Sequence, residues 1–104
     1  MKVVEMTLAD IIQDLHALEA RLREYEAKYG VASADLYELY QQGLLDNHGL
    51  EQTREFTRWA SAYEMKLERE AAFRKVSQRF ISSLRAKAPS GTFHLTPNPE
   101  LQKT

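Results

Sequence analysis

The chain has 104 residues, 43% hydrophobic and 28% charged, with a net charge of −1 and no cysteine. This is the length of one domain with a modest core, and the missing cysteine excludes disulfides, thiolate zinc sites and cysteine nucleophiles. No apolar run approaches the roughly 20 residues of a membrane-spanning helix. Met1–Met6 lacks the apolar centre and small-residue cleavage site of a signal peptide, so a cytoplasmic protein is expected.

The small net charge conceals two unlike parts. Residues 1–70 hold 8 Lys/Arg against 14 Asp/Glu and carry −6, whereas residues 71–104 hold 6 Lys/Arg against Glu100 alone and carry +5. Such a chain is able to pair head to tail with itself, or to offer a basic end to an acidic surface or a nucleic acid.

In chain order, Met1–Met6 is β-prone through Val3 and Val4 but too short to fold alone. It reads as a frayed lead-in or as a strand completed by a partner. Thr7 then opens a helix over 7–29, with Asp10 completing a Thr-x-x-Asp capping box. Leu8, Ile11, Leu15, Leu18, Leu22, Tyr25 and Tyr29 recur at alternating steps of three and four. That is a heptad seam, equally compatible with a coiled coil and with an intramolecular helical hairpin. Gly30 suits the left-handed C′ position that ends such a helix, and Lys28 lies near the negative end of its dipole.

Ser33 reads as the N-cap of a short helix over 34–42, with Asp35 in the first turn. Leu36, Leu39 and Tyr40 fall on one face of it. Gly43 stops the helix, and Leu44 is placed to fold back on Leu39 in a Schellman ending. The turn-rich Leu45–Gly49 leads into a third helix over 50–88, for which Asp46 or Asn47 is the expected cap.

Residues 50–88 contain neither Pro nor Gly and would run about 58 Å as one helix. Phe56, Trp59, Ala60, Tyr63 and Leu67 form one apolar stripe. Phe73, Val76, Phe80 and Leu84 form a second, turned by roughly 100° from the first, with Glu68-Arg69-Glu70 between them. The first half is expected to bury Trp59 against the two earlier helices. The second half needs cover, either from a second copy or another protein, or from a kink at 68–70 that folds it back. From Pro89 the chain cannot remain helical, so 89–104 reads as a flexible tail; Phe93 and Leu95 alternate with polar residues, as in a strand added to a partner's sheet.

No constellation suggests catalysis, a cofactor or a metal. His16, His48 and His94 lie in a helix, a turn and the tail, with no ligand spacing. There is no Gly-rich phosphate loop and no nucleophile elbow, and the many carboxylates have the spacing of solvated helix faces. Arg74, Lys75, Arg79, Arg85 and Lys87 make a plausible phosphate-contact set. They share a helix with Phe73, Val76 and Phe80, which a duplex backbone would leave unused, so nucleic acid is the third choice of partner.

Glu26-Ala27-Lys28-Tyr29-Gly30-Val31-Ala32-Ser33, Leu36-Tyr37, Gln42-Gly43-Leu44-Leu45-Asp46 and Glu55-Phe56-Thr57-Arg58-Trp59-Ala60 through Tyr63-Glu64 resemble a run in small bacterial helical proteins. Those proteins look like the antitoxin-type partner of toxin–antitoxin loci, and the resemblance covers about residues 20–67. The resemblance implies a non-enzymatic protein that binds and neutralises a partner toxin. The expected architecture is all-α: a long N-terminal helix, a short middle helix and a long C-terminal helix, with the long helices antiparallel and the protein expected to be a dimer. Phe73, Arg74, Lys75, Val76, Arg79, Phe80, Leu84, Phe93 and Leu95 are the expected partner-binding residues. The alternative is a homo-oligomeric structural helical protein that covers its stripe with its own copy.

Overall fold

The computed structural model describes residues 6–46, 49–88 and 91–102. It is all-helical, with α1 over Leu8–Tyr29, α2 over Ser33–Gln41, α3 over Leu50–Ala86 and a 3-10 turn over Pro99–Gln102. Among the described residues no helix is long and apolar enough to cross a membrane. The β-prone lead-in up to Glu5, and Asn47 as a cap, lie outside the described residues.

Local chemistry sets the helix ends. Thr7 caps α1 through the expected box: its hydroxyl accepts the Asp10 backbone N–H at 3.1 Å, while the Asp10 carboxylate accepts that of Thr7. Gly30, at φ 66°, closes α1 by donating its N–H to the Glu26 carbonyl at 2.7 Å. Gly43, at φ 68°, ends α2 in a Schellman motif, with Leu44 N–H on the Leu39 carbonyl at 3.0 Å and Gly43 N–H on that of Tyr40 at 3.1 Å. α3 begins at Leu50 as expected, but its cap position is Gly49 rather than Asp46, and the Thr53 hydroxyl donates to the Gly49 carbonyl at 2.9 Å.

Ser33 differs from its expected role. The N-cap position of α2 belongs to Ala32, which gives no side-chain cap, and Ser33 is the first helical residue. The capping oxygen comes instead from α1: the Glu26 carboxylate accepts the Ser33 backbone N–H at 3.1 Å and its hydroxyl at 2.7 Å. Placing a carboxylate at a helix N-terminus is favourable on both hydrogen-bond and dipole grounds. It frees the Ser33 hydroxyl oxygen to accept the Trp59 indole N–H at 2.8 Å.

α1 and α3 pack antiparallel along a shared register. Lys28 and Tyr29 at one end meet Glu55, Tyr25 stacks on Trp59 with ring centroids 5.3 Å apart, and Asp14 binds Arg69 at 2.6 Å. In that register the α1 heptad lies against a repeat on α3, Glu55, Trp59, Ala62, Lys66, Arg69, Phe73 and Val76, which Gln52 and Phe80 continue past the two ends of α1. Its steps also alternate three and four, and none of its members is exposed. Large meets small within it, since the register sets Leu22 opposite Ala62 beside the Tyr25–Trp59 stack.

The two-stripe reading of the third helix is therefore corrected. The seam facing α1 does not turn through 100°; it runs straight on through Lys66 and Arg69, whose side chains are only 22% and 26% exposed. Their aliphatic stems occupy seam positions while their heads reach Glu70 and Asp14. Tyr63, by contrast, faces α2, where its ring lies 5.2 Å from that of Tyr37. The Tyr37 hydroxyl donates to Glu64 at 2.7 Å and that of Tyr40 to Thr57 at 3.3 Å. Glu68-Arg69-Glu70 marks no break: α3 is helical throughout, and the longest dimension of the molecule, 59 Å, is about the length of this one helix.

Leu18, Leu22, Leu36, Trp59, Ala60 and Ala62 form the buried core, with Trp59 only 1% exposed. Ala62 sits where side chains from two helices converge and leaves no room for a larger group. Ala62→Leu should cost about 1–3 kcal/mol through overpacking, read as a lower urea midpoint at unchanged slope.

Candidate partner-binding surfaces

The distal half of α3 presents two opposed faces. Phe73, Val76, Phe80 and Leu84 are half-buried, whereas Arg74, Lys75, Arg79, Arg85 and Lys87 are exposed. At 100° per residue, Arg74, Lys75, Arg79 and Arg85 span an arc of roughly 140°, centred nearly opposite the apolar stripe. The apolar residues and the cations expected to act together thus point in different directions.

The apolar side is largely taken up within the chain. The register sets buried Ile11 and Leu8 opposite Phe73 and Val76. Beyond α1, Asn98, Pro99 and Glu100 border a groove of about 360 Å³ with Val76, Arg79 and Phe80. The segment expected as a flexible tail thus returns along α3, and its 3-10 turn, held in part by Glu100 N–H on the Asn98 side chain at 3.0 Å, packs against α1. No kink folds the distal half of α3 back; α1 and the returning segment cover this stripe in part. Phe93 and Leu95 remain exposed, at 39% and 66%.

A second surface lies at the other end of α3 and was not among the expected site residues. The Schellman turn at Gly43 directs the chain so that Leu44 is 63% exposed, and Leu50, the first residue of α3, is 66% exposed. Leu39 and Tyr40, on the last turn of α2, are also exposed. Beside them an open groove of about 310 Å³ is lined by Tyr40, Gly43, Leu45, Asp46, Thr53 and Phe56. Four large apolar side chains, Leu39, Tyr40, Leu44 and Leu50, are thus exposed on either side of the α2–α3 connection. The signal was present in the sequence: Leu44-Leu45 sits in a turn between Gly43 and Asp46, outside any helix that would bury both.

Between α1 and the start of α3 is a polar groove of about 400 Å³, with Tyr25 and Tyr29 beside Lys28, Arg54, Glu55 and Arg58. Lys28 binds Glu55 at 2.8 Å and the Tyr29 hydroxyl donates to the same carboxylate. These two hydrogen bonds hold the Glu55 carboxyl below its usual range, and the bond to Glu55 raises the Lys28 ammonium above its own. Across α3, the hydrogen bond to Glu64 raises the Tyr37 phenol. These groups join helices and present no activated nucleophile or base.

His16 and His94 are exposed and His48 lies outside the described residues. Among the described residues no group of three or more His, Asp or Glu side chains is arranged to hold a metal ion. No protein-family model, curated protein or solved structure matches this chain.

Because the folded-state pKa of Glu55 is depressed, its contribution to stability is complete above the ordinary carboxylate range. That contribution is lost as the pH falls through the depressed value. Glu55→Gln should therefore lower the thermal midpoint near neutrality and reduce its fall between about pH 5 and pH 2, measured by circular dichroism melts across that range.

Proposed function

We propose that this protein is a non-enzymatic binding module of the bacterial antitoxin type, acting in the cytoplasm by docking on and neutralising a partner protein. The observation that carries the reading is the exposure of Leu39, Tyr40, Leu44 and Leu50 on either side of the connection between α2 and α3. An interface anchored by Leu44 and Leu50 would gain about 1.5–3 kcal/mol for each side chain fully buried. The groove beside them accepts one apolar side chain of the partner against Tyr40 and Phe56.

The antitoxin assignment rests on the resemblance over residues 20–67, which contains Gln42-Gly43-Leu44-Leu45-Asp46. The docking surface thus falls inside the resembling stretch. The distal apolar stripe of Phe73, Val76, Phe80 and Leu84 lies outside it and is half-buried within the chain. The exposed Phe93 and Leu95 are secondary contacts in this reading.

The test is co-expression with the product of the adjacent gene. The wild-type chain should co-purify with it and relieve its toxicity, while Leu44→Asp with Leu50→Asp should lose both effects and stay folded, because neither side chain is buried. Absence of any complex with the wild-type chain would sink the antitoxin reading. So would a wild-type dimer at micromolar concentration that dissociates in the double variant, since that surface would then belong to a second copy.

A further inference from the structure

We propose that the polar groove between α1 and the start of α3 binds a small phosphorylated sugar or polyol, with Arg54, Arg58 and Lys28 on its phosphate. This is a separate site from the docking surface at the α2–α3 connection.

Arg54 and Arg58 stand one turn apart on α3, about 6 Å between Cβ atoms, and both line this groove of about 400 Å³. Neither is paired with a carboxylate among the described residues. Two acids share the groove, Glu51 and Glu55. Glu55 is already engaged: Lys28 binds it at 2.8 Å and the Tyr29 hydroxyl donates to it. Those two hydrogen bonds hold its carboxyl low and the charge of Arg58 adds to them, so that guanidinium lies within Coulombic reach of the same centre. Three cations against two carboxylates leave the lining with a positive surplus.

The surplus of donors is larger than that of charge. The guanidinium groups of Arg54 and Arg58, the Tyr25 hydroxyl and the Gln52 amide make no hydrogen bond among the described residues, and the Lys28 ammonium has spent one of its three protons on Glu55. Such a set calls for a ligand rich in acceptors. Two guanidinium forks on α3 and an ammonium facing them from α1 match the oxygens of a phosphate monoester, whereas one carboxylate occupies a single fork.

The rest of the lining selects the body that carries the phosphate. A bare ion would leave most of the groove unfilled, since about 400 Å³ is within the range of small-molecule sites. No aliphatic side chain is among the described residues that line it. The Tyr29 ring is occupied by Trp59, Phe56 and the Lys28 ammonium, and Tyr25 is stacked on Trp59, so no pair of free ring faces is left to clamp a flat base. What the groove offers is the Tyr25 hydroxyl, the Gln52 amide and the Glu51 carboxylate, which suit hydroxyl groups. Glu51 would repel a bare anion but accepts hydroxyl protons, and so favours a polyhydroxylated body.

Isothermal titration calorimetry of the full chain with ribose 5-phosphate, glucose 6-phosphate and glycerol 3-phosphate tests this, at about 50 mM salt to limit screening. At least one of these should bind, with inorganic phosphate about tenfold weaker and free ribose giving no heat. Arg54→Gln with Arg58→Gln should weaken binding about 100-fold, roughly tenfold for each lost charged partner. Arg54→Lys with Arg58→Lys, which keeps the charge but not the forks, should fall between. Leu44→Asp should bind as wild type does. Far-UV circular dichroism confirms that each variant is folded, as expected for two exposed arginines. No heat with any of the three esters up to about 1 mM, or unchanged affinity in the Gln variant, overturns the proposal. Equal affinity for inorganic phosphate or citrate also overturns it, leaving a simple anion site. So does tighter binding of adenosine monophosphate or of a phosphorylated peptide, which would assign the groove to a nucleotide or to a modified protein.

Discussion

The arrangement of the three helices depends on the indole N–H of Trp59. At 1% exposure the ring has no access to solvent, so its one polar group needs a protein acceptor, and an unmet donor there would cost about 1–3 kcal/mol. The Ser33 hydroxyl supplies it at 2.8 Å and passes its own proton bond to Glu26 at 2.7 Å. One chain of two hydrogen bonds therefore ties α3 to α2 and α2 to α1. The same carboxylate caps α2, so the position of the short helix and the burial of the tryptophan are a single constraint. Tyr25 and Tyr29, with ring centroids 5.3 and 5.5 Å from that of Trp59, close the other side and set the antiparallel register.

Along that register the seam changes character. Near Trp59 it is aromatic and aliphatic, and packed tightly enough that Ala62 and Ala60 are 1% and 2% exposed. At Lys66 and Arg69 it becomes charged, with the heads reaching outward to Glu70 and Asp14. Charged residues in a seam cost packing density but fix its alignment, because an ion pair such as Asp14–Arg69 is satisfied in one register only. Past them the seam is apolar again but half-buried, shared among α1, α3 and the returning C-terminal segment.

This division leaves unlike surfaces exposed at the two ends of α3. At its start, the Schellman turn leaves leucines exposed around a groove; at its far end, internal packing of the phenylalanines leaves a cationic face turned outward. A molecule 59 Å long keeps these surfaces far apart, well beyond the Debye length of about 8 Å at physiological ionic strength.

The helix count, the α1 seam, the Thr7 box and the glycine ends at Gly30 and Gly43 were legible in the sequence. Each depends on neighbours within about a turn: a side chain capping its own backbone, a glycine relieving a left-handed strain, a repeat of leucines on one face. The side of α3 that meets α1 was not legible, because Lys66 and Arg69 count as polar in any hydrophobic pattern although their stems fill the seam. Nor was the role of Ser33, which resembled a local cap until Glu26, seven residues earlier, took that duty and released the hydroxyl for Trp59. The return of Pro99–Gln102 to α1 likewise has no local signature. The sequence by itself determined which segments are helical and where they stop, since those are short-range energies. Only the tertiary structure decided which apolar residues are used up internally and which remain outside, because that depends on contacts between residues far apart in the chain. For this protein it turned the distal phenylalanines and the neighbouring arginines to opposite sides of α3, and left the leucines at the α2–α3 turn exposed.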